Sequence, residues 1–182
     1  MKELTMADET YVAVAAQYAS EDAAVTEFQD IQGHFKEDDK HSHGPFDAAV
    51  ITRATDGKLS IVKRSDTGKH RGTKKGLAVG LASGLAVALF PAVAVGGALL
   101  VAGGSGAGIG AVAGHFSRKT ASKDLEAISE TLDAGSAGIV LVAVPEDADE
   151  VQKLLTNATK VTRRDVVIDT DELDKEVDGS YA

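Results

Sequence analysis

The alternation of apolar and polar positions marks short strands at residues 11–16 (YVAVAA), 48–52 and 59–63. A different spacing follows the first of these. Ala24, Phe28, Ile31 and Phe35 fall on one stripe and predict a helix over residues 21–36, which Ser20 or Asp22 can cap. Residues 37–45 (EDDKHSHGP) read as loop, with Gly44 and Pro45 as punctuation. Asp56-Gly57 predicts a tight type I′ hairpin turn between the second and third strands. Farther on, Ala121, Leu125, Ile128 and Leu132 keep helical register over residues 121–132, with Gly135 placed as a C-cap. Residues 138–144 (GIVLVAV) form an unbroken apolar run ended by Pro145, as expected of a central strand buried on both faces. Asp147 and Glu150 suggest a capping box for a helix carrying Val151, Leu154 and Leu155, and residues 161–168 predict a last strand.

Between the third strand and the second helix lies a segment with neither periodicity. Residues 76–114 hold no charge, no Asn and no Gln. Gly76, Gly80 and Gly84 recur every four residues, as do Gly106, Gly110 and Gly114. On a helix this spacing makes a flat groove that lets another helix backbone approach. Each such Gly costs about 1 kcal/mol relative to Ala in water, so close packing in an apolar setting is the natural compensation. Pro91 interrupts a single long helix, and the tract therefore predicts two helices folding back at Phe90-Pro91. Lys69, Arg71, Lys74 and Lys75 precede the tract and Arg118 and Lys119 follow it. Under the positive-inside rule both ends face the cytoplasm and suit anionic headgroups. The other arrangement hides the hairpin inside a soluble oligomer; an exposed hairpin on a monomer in water would aggregate.

Leaving the tract aside, the order β-α-β-β-α-β then α-β predicts an α+β protein: a ferredoxin-like split βαβ sandwich with an inserted glycine-zipper helical hairpin and an appended αβ unit. The body comprises residues 11–64 and 119–168, the hairpin 72–116, the N-terminal tail 1–10 and an acidic, solvated tail 169–182.

Charge and composition sharpen this picture. The 182 residues carry 28 acids and 19 basic residues, a net charge of −9. All of these charges lie outside the tract, so a mean hydropathy of −0.05 averages two unlike materials. The acidic balance argues against nucleic acid as a partner. The absence of Cys excludes disulfides, thiolate metal sites and a cysteine nucleophile. Glu3, Asp8 and Glu9 make residues 1–10 unlike a secretory signal, and a cytoplasmic start is expected.

Several segments together resemble one bacterial family, the domain of unknown function 1269 group of predicted membrane proteins. They are Phe46-Asp47-Ala48-Ala49-Val50, Asp56-Gly57-Lys58, Leu89-Phe90-Pro91, Gly114-His115, Ser122-Lys123-Asp124-Leu125 and Leu132-Asp133-Ala134-Gly135, with the strand after Ala137. The resemblance spans residues 11–165 in consistent order and implies membrane association; it carries no activity, cofactor or catalytic residue. The charged, His-bearing loop at residues 38–44 departs from the pattern.

Candidate chemistry is sparse. Residues 106–111 (GAGIGA) match G-x-G-x-x-A, but the stretch to Asp124 is polar and strandless, so the glycines read as packing residues and no nucleotide cofactor is expected. His34, His41 and His43, with Asp38 and Asp39, are weak candidates for a metal site; a solvated surface loop is the expected reading. His115 is expected as an anchor at the apolar boundary. No nucleophile-elbow spacing occurs, and no catalytic residue is assigned. The expected protein is a non-enzymatic, membrane-associated homo-oligomer without cofactors on the cytoplasmic side of the cell membrane. Gly76, Gly80, Gly84, Gly106, Gly110 and Gly114 would pack its helices, Phe90 and Pro91 form the hairpin tip, and the basic flanks meet lipid. The alternative is a cytoplasmic oligomer that binds a small ligand and regulates, with the hairpin in its core.

Overall fold

The computed structural model describes residues 8–37, 46–56, 58–64, 81–90, 99–101 and 109–180. The first half comprises β1 (Asp8–Tyr18), α1 (Glu21–Glu37), β2 (Phe46–Arg53), β3 (Leu59–Arg64), α2 (Leu81–Leu89) and β4 (Leu99–Val101). After these come α3 (Ile109–Lys119), α4 (Ser122–Ser129), β5 (Ala137–Ala143), α5 (Pro145–Leu154), β6 (Lys160–Asp169) and α6 (Thr170–Ser180). The fold is mixed α+β, with strand order β4-β3-β2-β5-β1-β6. Each neighbouring pair among β3, β2, β5, β1 and β6 is antiparallel, and short β4 lies parallel to β3 at one edge.

Strand β5 is apolar at every position and all seven of its residues are buried. It pairs with β1 on one side and β2 on the other, from Val12↔Ala143 to Tyr18↔Ala137 and from Phe46↔Ala143 to Thr52↔Ala137. Because successive strand side chains point to opposite faces, the two registers sort the sheet into two cores. Val12, Val14, Ala48, Val50, Ile139 and Leu141 pack with Ala24, Phe28, Ile31 and Phe35 of α1 and Ala148 and Val151 of α5. Tyr11, Ala13, Ala15, Ala49, Ile51, Val140 and Val142 pack on the opposite face with Leu81, Leu85, Leu89, Val112, Phe116, Ile128 and Leu173. The result is three layers, helices on both faces of one sheet.

The apolar stripe of α1 is the one the spacing predicts, and Ser20 Oγ accepts a hydrogen bond from the Ala23 N–H at 3.2 Å. Other local expectations change. The β2–β3 turn is not type I′, which needs a positive φ at Asp56; no non-Gly residue among those described has one. Instead the Ala54 N–H donates to the Lys58 carbonyl, and Asp56 Oδ1 accepts from the Lys58 N–H. Helix α5 starts on Pro145 without a side-chain cap, so Asp147 and Glu150 form no capping box at its start. Helix α4 stops at Ser129; Gly135, at φ +81°, instead turns the chain so that its N–H reaches the Arg53 carbonyl at 2.7 Å.

The larger corrections concern what packs where. Helix α4, expected beside α1, lies on the opposite face together with α2 and α3. Helix α5 takes the place beside α1, and β6 pairs with β1 from Asp8↔Asp169 to Gln17↔Lys160, so these two elements are integral to the sheet rather than appended. The residues expected as a solvated acidic tail form α6, whose Leu173 is fully buried. In the described part of the apolar tract, α2 and α3 do not stand apart from the body: they pack on each other and supply the second core. Helix α2 (LASGLAVAL) has no polar face, and such a helix is stable only when covered all round. Its first turn is held from below, where the buried Asp47 Oδ2 of β2 accepts the Ala82 N–H at 2.7 Å. That carboxylate satisfies one of the free N–H groups at the positive end of the helix dipole.

Two glycines make close approaches possible. A Cβ on Gly84 would overlap the Val112 side chain and come within 3.2 Å of the Ala113 nitrogen, so its absence sets the α2–α3 distance. A Cβ on Gly138 would overlap Leu132 and lie 2.7 Å from the Ala16 carbonyl oxygen. Gly138→Ala is therefore expected to destabilise the fold by about 1–3 kcal/mol. Gly33→Ala in α1, where a Cβ meets nothing, should stabilise it by about 0.5–1 kcal/mol. Urea unfolding midpoints moving in opposite directions check the pair.

Candidate functional site

The chemistry of this chain concentrates where α3 leaves the apolar layer. Val112, Ala113 and Phe116 are buried, and one turn later the helix carries Arg118 and Lys119. The C-terminal end of a helix is the favourable place for cations. Helix α6 lies against this end of α3 and brings acids at the matching positions. Arg118 pairs with Glu176 and, at 3.8 Å, with Glu172; Lys119 Nζ lies 3.0 Å from Glu172 and 3.8 Å from Asp169. The Lys119 ammonium holds the Glu172 carboxyl below the usual range, mainly through its hydrogen bond.

Beneath these pairs sits His115, fully buried. Its Nε2 accepts the Asp169 backbone N–H at 3.1 Å, so that nitrogen carries the lone pair. In the neutral ring Nδ1 must then hold the proton, and it donates to Glu176 at 3.2 Å. His115, Glu172 and Glu176 converge closely enough to surround a metal ion. The hydrogen bonds argue against that use. A metal on Nδ1 would force the proton onto Nε2, against the Asp169 N–H, and would compete with Arg118 and Lys119 for both carboxylates. The cluster is a polar clasp between α3, β6 and α6. In its described apolar part, full burial of Leu173 contributes about 1.5–3 kcal/mol, and the partly exposed ion pairs add little and are screened by salt.

The residues assigned from the sequence distribute as follows. Gly84 makes the close helix contact, whereas Gly110 is exposed with no atom where its Cβ would be, and Gly114 faces only the Arg118 side chain of its own helix. Phe90 is buried, with the Arg53 guanidinium 4.2 Å above its ring, so this end of α2 is folded onto the body. Arg118 and Lys119, expected at lipid headgroups, are partnered within the chain. His34 bonds to Glu150 of α5 and fastens α1 to α5. Gly76, Gly80, Gly106, Pro91, Lys69, Arg71, Lys74, Lys75, His41 and His43 lie outside the described residues. Among those described, no helix is long and apolar enough to cross a membrane.

Sequence reasoning missed a second polar centre. Glu27, on α1, is buried without a cation, and its Oε1 accepts from the N–H groups of Thr156 and Asn157 at 2.8 and 3.0 Å and from the Thr156 hydroxyl at 3.1 Å. The Tyr18 hydroxyl donates to its other oxygen, and burial, with this carboxylate beside it, pushes the phenol pKa well up. Glu27 thereby ties α1 to the chain leaving α5. The only signal in the sequence is an acid among the apolar positions of a helix. A hollow of about 440 Å³ between α4 and β6, lined by Glu130, Thr131, Lys160, Thr162 and Arg164, is open to solvent. Neither His34 nor His115 is hydrogen-bonded to a serine hydroxyl.

Comparison of the chain with protein-family models, with curated proteins and with solved structures gives no match.

Two outcomes follow from this geometry. Glu27→Ala strands several buried donors and should cost about 3 kcal/mol in chemical denaturation, with Glu27→Gln milder. Because the folded-state pKa of Glu172 is depressed below 4.5, its contribution to the clasp is fully present above that value and is lost as pH falls through the folded value. Hydrogen exchange in α6 should therefore accelerate as pH drops below 4.5, after correction for intrinsic rates, and Glu172→Gln should flatten that dependence.

Proposed function

We propose that this is a non-enzymatic, membrane-associated structural protein that self-assembles through its glycine-bearing hairpin, the body facing the cytoplasm. The observation that carries the reading is the unequal use of the glycines. Gly84 is consumed by the α2–α3 contact inside the chain, while Gly110 leaves a small, exposed helix surface that nothing in the described chain exploits. A backbone surface of this kind suits close approach by another helix, and the self-partner is the simplest source. The arrangement supports a hairpin stowed against its own sheet at rest, with contact to anionic lipid made by the basic flanks.

The finer fold and kinship belong to the same reading. The order β6-β1-β5-β2, with α1 and α5 on one face, supports a ferredoxin-like split βαβ body, into which β3, the tract and α4 are inserted between β2 and β5. On this view the chain is a divergent member of the domain of unknown function 1269 family. A second reading, a soluble oligomeric module that binds a small ligand, is favoured by the burial of Leu81, Leu85 and Leu89 in the body's own core.

Gly110→Leu separates assembly from folding. It should leave the monomer intact or stabilise it, since Leu is the better helix former by about 0.8 kcal/mol and Gly110 is exposed, with nothing near where a Cβ would stand. It should nonetheless reduce the particle size seen by sedimentation. Unchanged size removes the glycine surface from the assembly. Flotation with membranes at low salt tests the location; protein remaining wholly in the detergent-free supernatant would favour the soluble module.

A further inference from the structure

We propose that α6 is an intramolecular acidic latch that occupies the basic end of α3 and is displaced by an anionic phospholipid surface. The inference rests on the membrane reading above and names its regulation. Residues 170–180 carry five acids and one Lys, and two of those acids, Glu172 and Glu176, meet the two cations that end the hairpin, Arg118 and Lys119. In charge and position, α6 stands where the headgroups of an anionic bilayer would stand if the exit of the hairpin met a membrane.

Three features make the latch releasable rather than a fixed part of the core. Among the described side chains of α6, Leu173 is the one in the buried core cluster, and Asp171, Glu172, Lys175 and Glu176 keep contact with water. The ion pairs reach water on one side: the Arg118 side chain is 53% exposed and that of Glu172 41%, while Lys119 and Glu176 are about a quarter exposed. Pairs of this kind exchange readily for others of the same sign pattern. Finally, α6 is the last described element and follows β6 directly, so it can swing away without unpairing a strand. His115 supplies the seating. Its Nε2 receives the Asp169 N–H at the junction of β6 and α6, while Nδ1–H reaches Glu176, so it sets the angle at which the helix leaves the sheet. The charged groups around its ring are Arg118 and Lys119 on α3, Asp169 at the end of β6, and Glu172 and Glu176 on α6.

The test uses the full chain and vesicles of phosphatidylcholine with about one third phosphatidylserine, against phosphatidylcholine alone. Glu172→Gln/Glu176→Gln removes two charges but keeps oxygens that can accept from His115. This variant should bind the anionic vesicles about tenfold or more tightly than the unmodified chain. Adding Arg118→Gln/Lys119→Gln should abolish the gain. Independently of any substitution, amide exchange over residues 170–176 should accelerate when anionic vesicles are added to the unmodified chain, and not with neutral ones. If that chain binds anionic vesicles while α6 keeps its protection, or if the Gln pair binds no more tightly, the latch is wrong and the membrane reading stands. If neither form binds anionic vesicles under conditions where both are folded, the membrane reading and the latch fall together.

Discussion

Residues 11–16 of β1 and the whole of β5 are apolar on both faces, and the sheet they centre cannot leave either face in water. Val14 and Ala15, on opposite faces of β1, are both fully covered. Helices α1 and α5 serve one face. The other face needs an equal apolar layer, and the chain supplies it from the uncharged tract and the helix that follows. Much of the molecule follows from that demand. A helix such as α2, without a polar side, finds cover between the sheet and α3, and in return it removes Ala49, Ile51, Val140 and Val142 from water.

Covering a sheet with so apolar a layer creates polar problems at the rims of that layer, and the fold solves each from a distant part of the chain. The free N–H groups at the start of α2 meet Asp47, on a strand beneath it. The aromatic end of α2 is capped by Arg53, whose backbone also anchors the turn at Gly135. The basic end of α3 meets α6. On the opposite face, Glu27 performs the corresponding task for the chain leaving α5. Each of these is a charged or polar group placed where a backbone or cation would otherwise be left without a partner at an apolar boundary, the costly arrangement. Among the described side chains of α6, Leu173 is the one that enters the apolar layer, and the proposed latch is placed at that contact.

Much of the framework was legible residue by residue. The stripe of Ala24, Phe28, Ile31 and Phe35 marks α1, and the unbroken run through Ile139, Val140 and Leu141 marks a strand covered on both sides. Both signals are local periodicities, and burial simply realises them. The glycine spacing was legible too, but only Gly84 among the described glycines of the tract became a contact, because the crossing of α2 over α3 brings Val112 to that position and leaves Gly110 outside. The acidic C-terminal stretch was misread as solvated tail because charge density alone carries no information about a basic partner some fifty residues earlier. Glu27 gave almost no signal, since its donors lie on residues 156 and 157.

The sequence by itself determined most strands and helices of the body, though neither the strand β4 within the tract nor the helix α6, that the central strand is buried twice, and that a long uncharged tract must be hidden from water. These depend on the period and polarity of neighbours in the chain. Only the tertiary structure decided what hides the tract, which helices share a face, and where the isolated charges find partners. Strand order places β5 between β1 and β2, and so assigns α5 rather than α4 to the side of α1. The same order turns the described part of the tract inward onto the sheet, where an uncovered apolar face remains. A hydrophobic pattern states how much surface must be buried; the partner that buries it is selected by register and strand order, which no local window of residues contains.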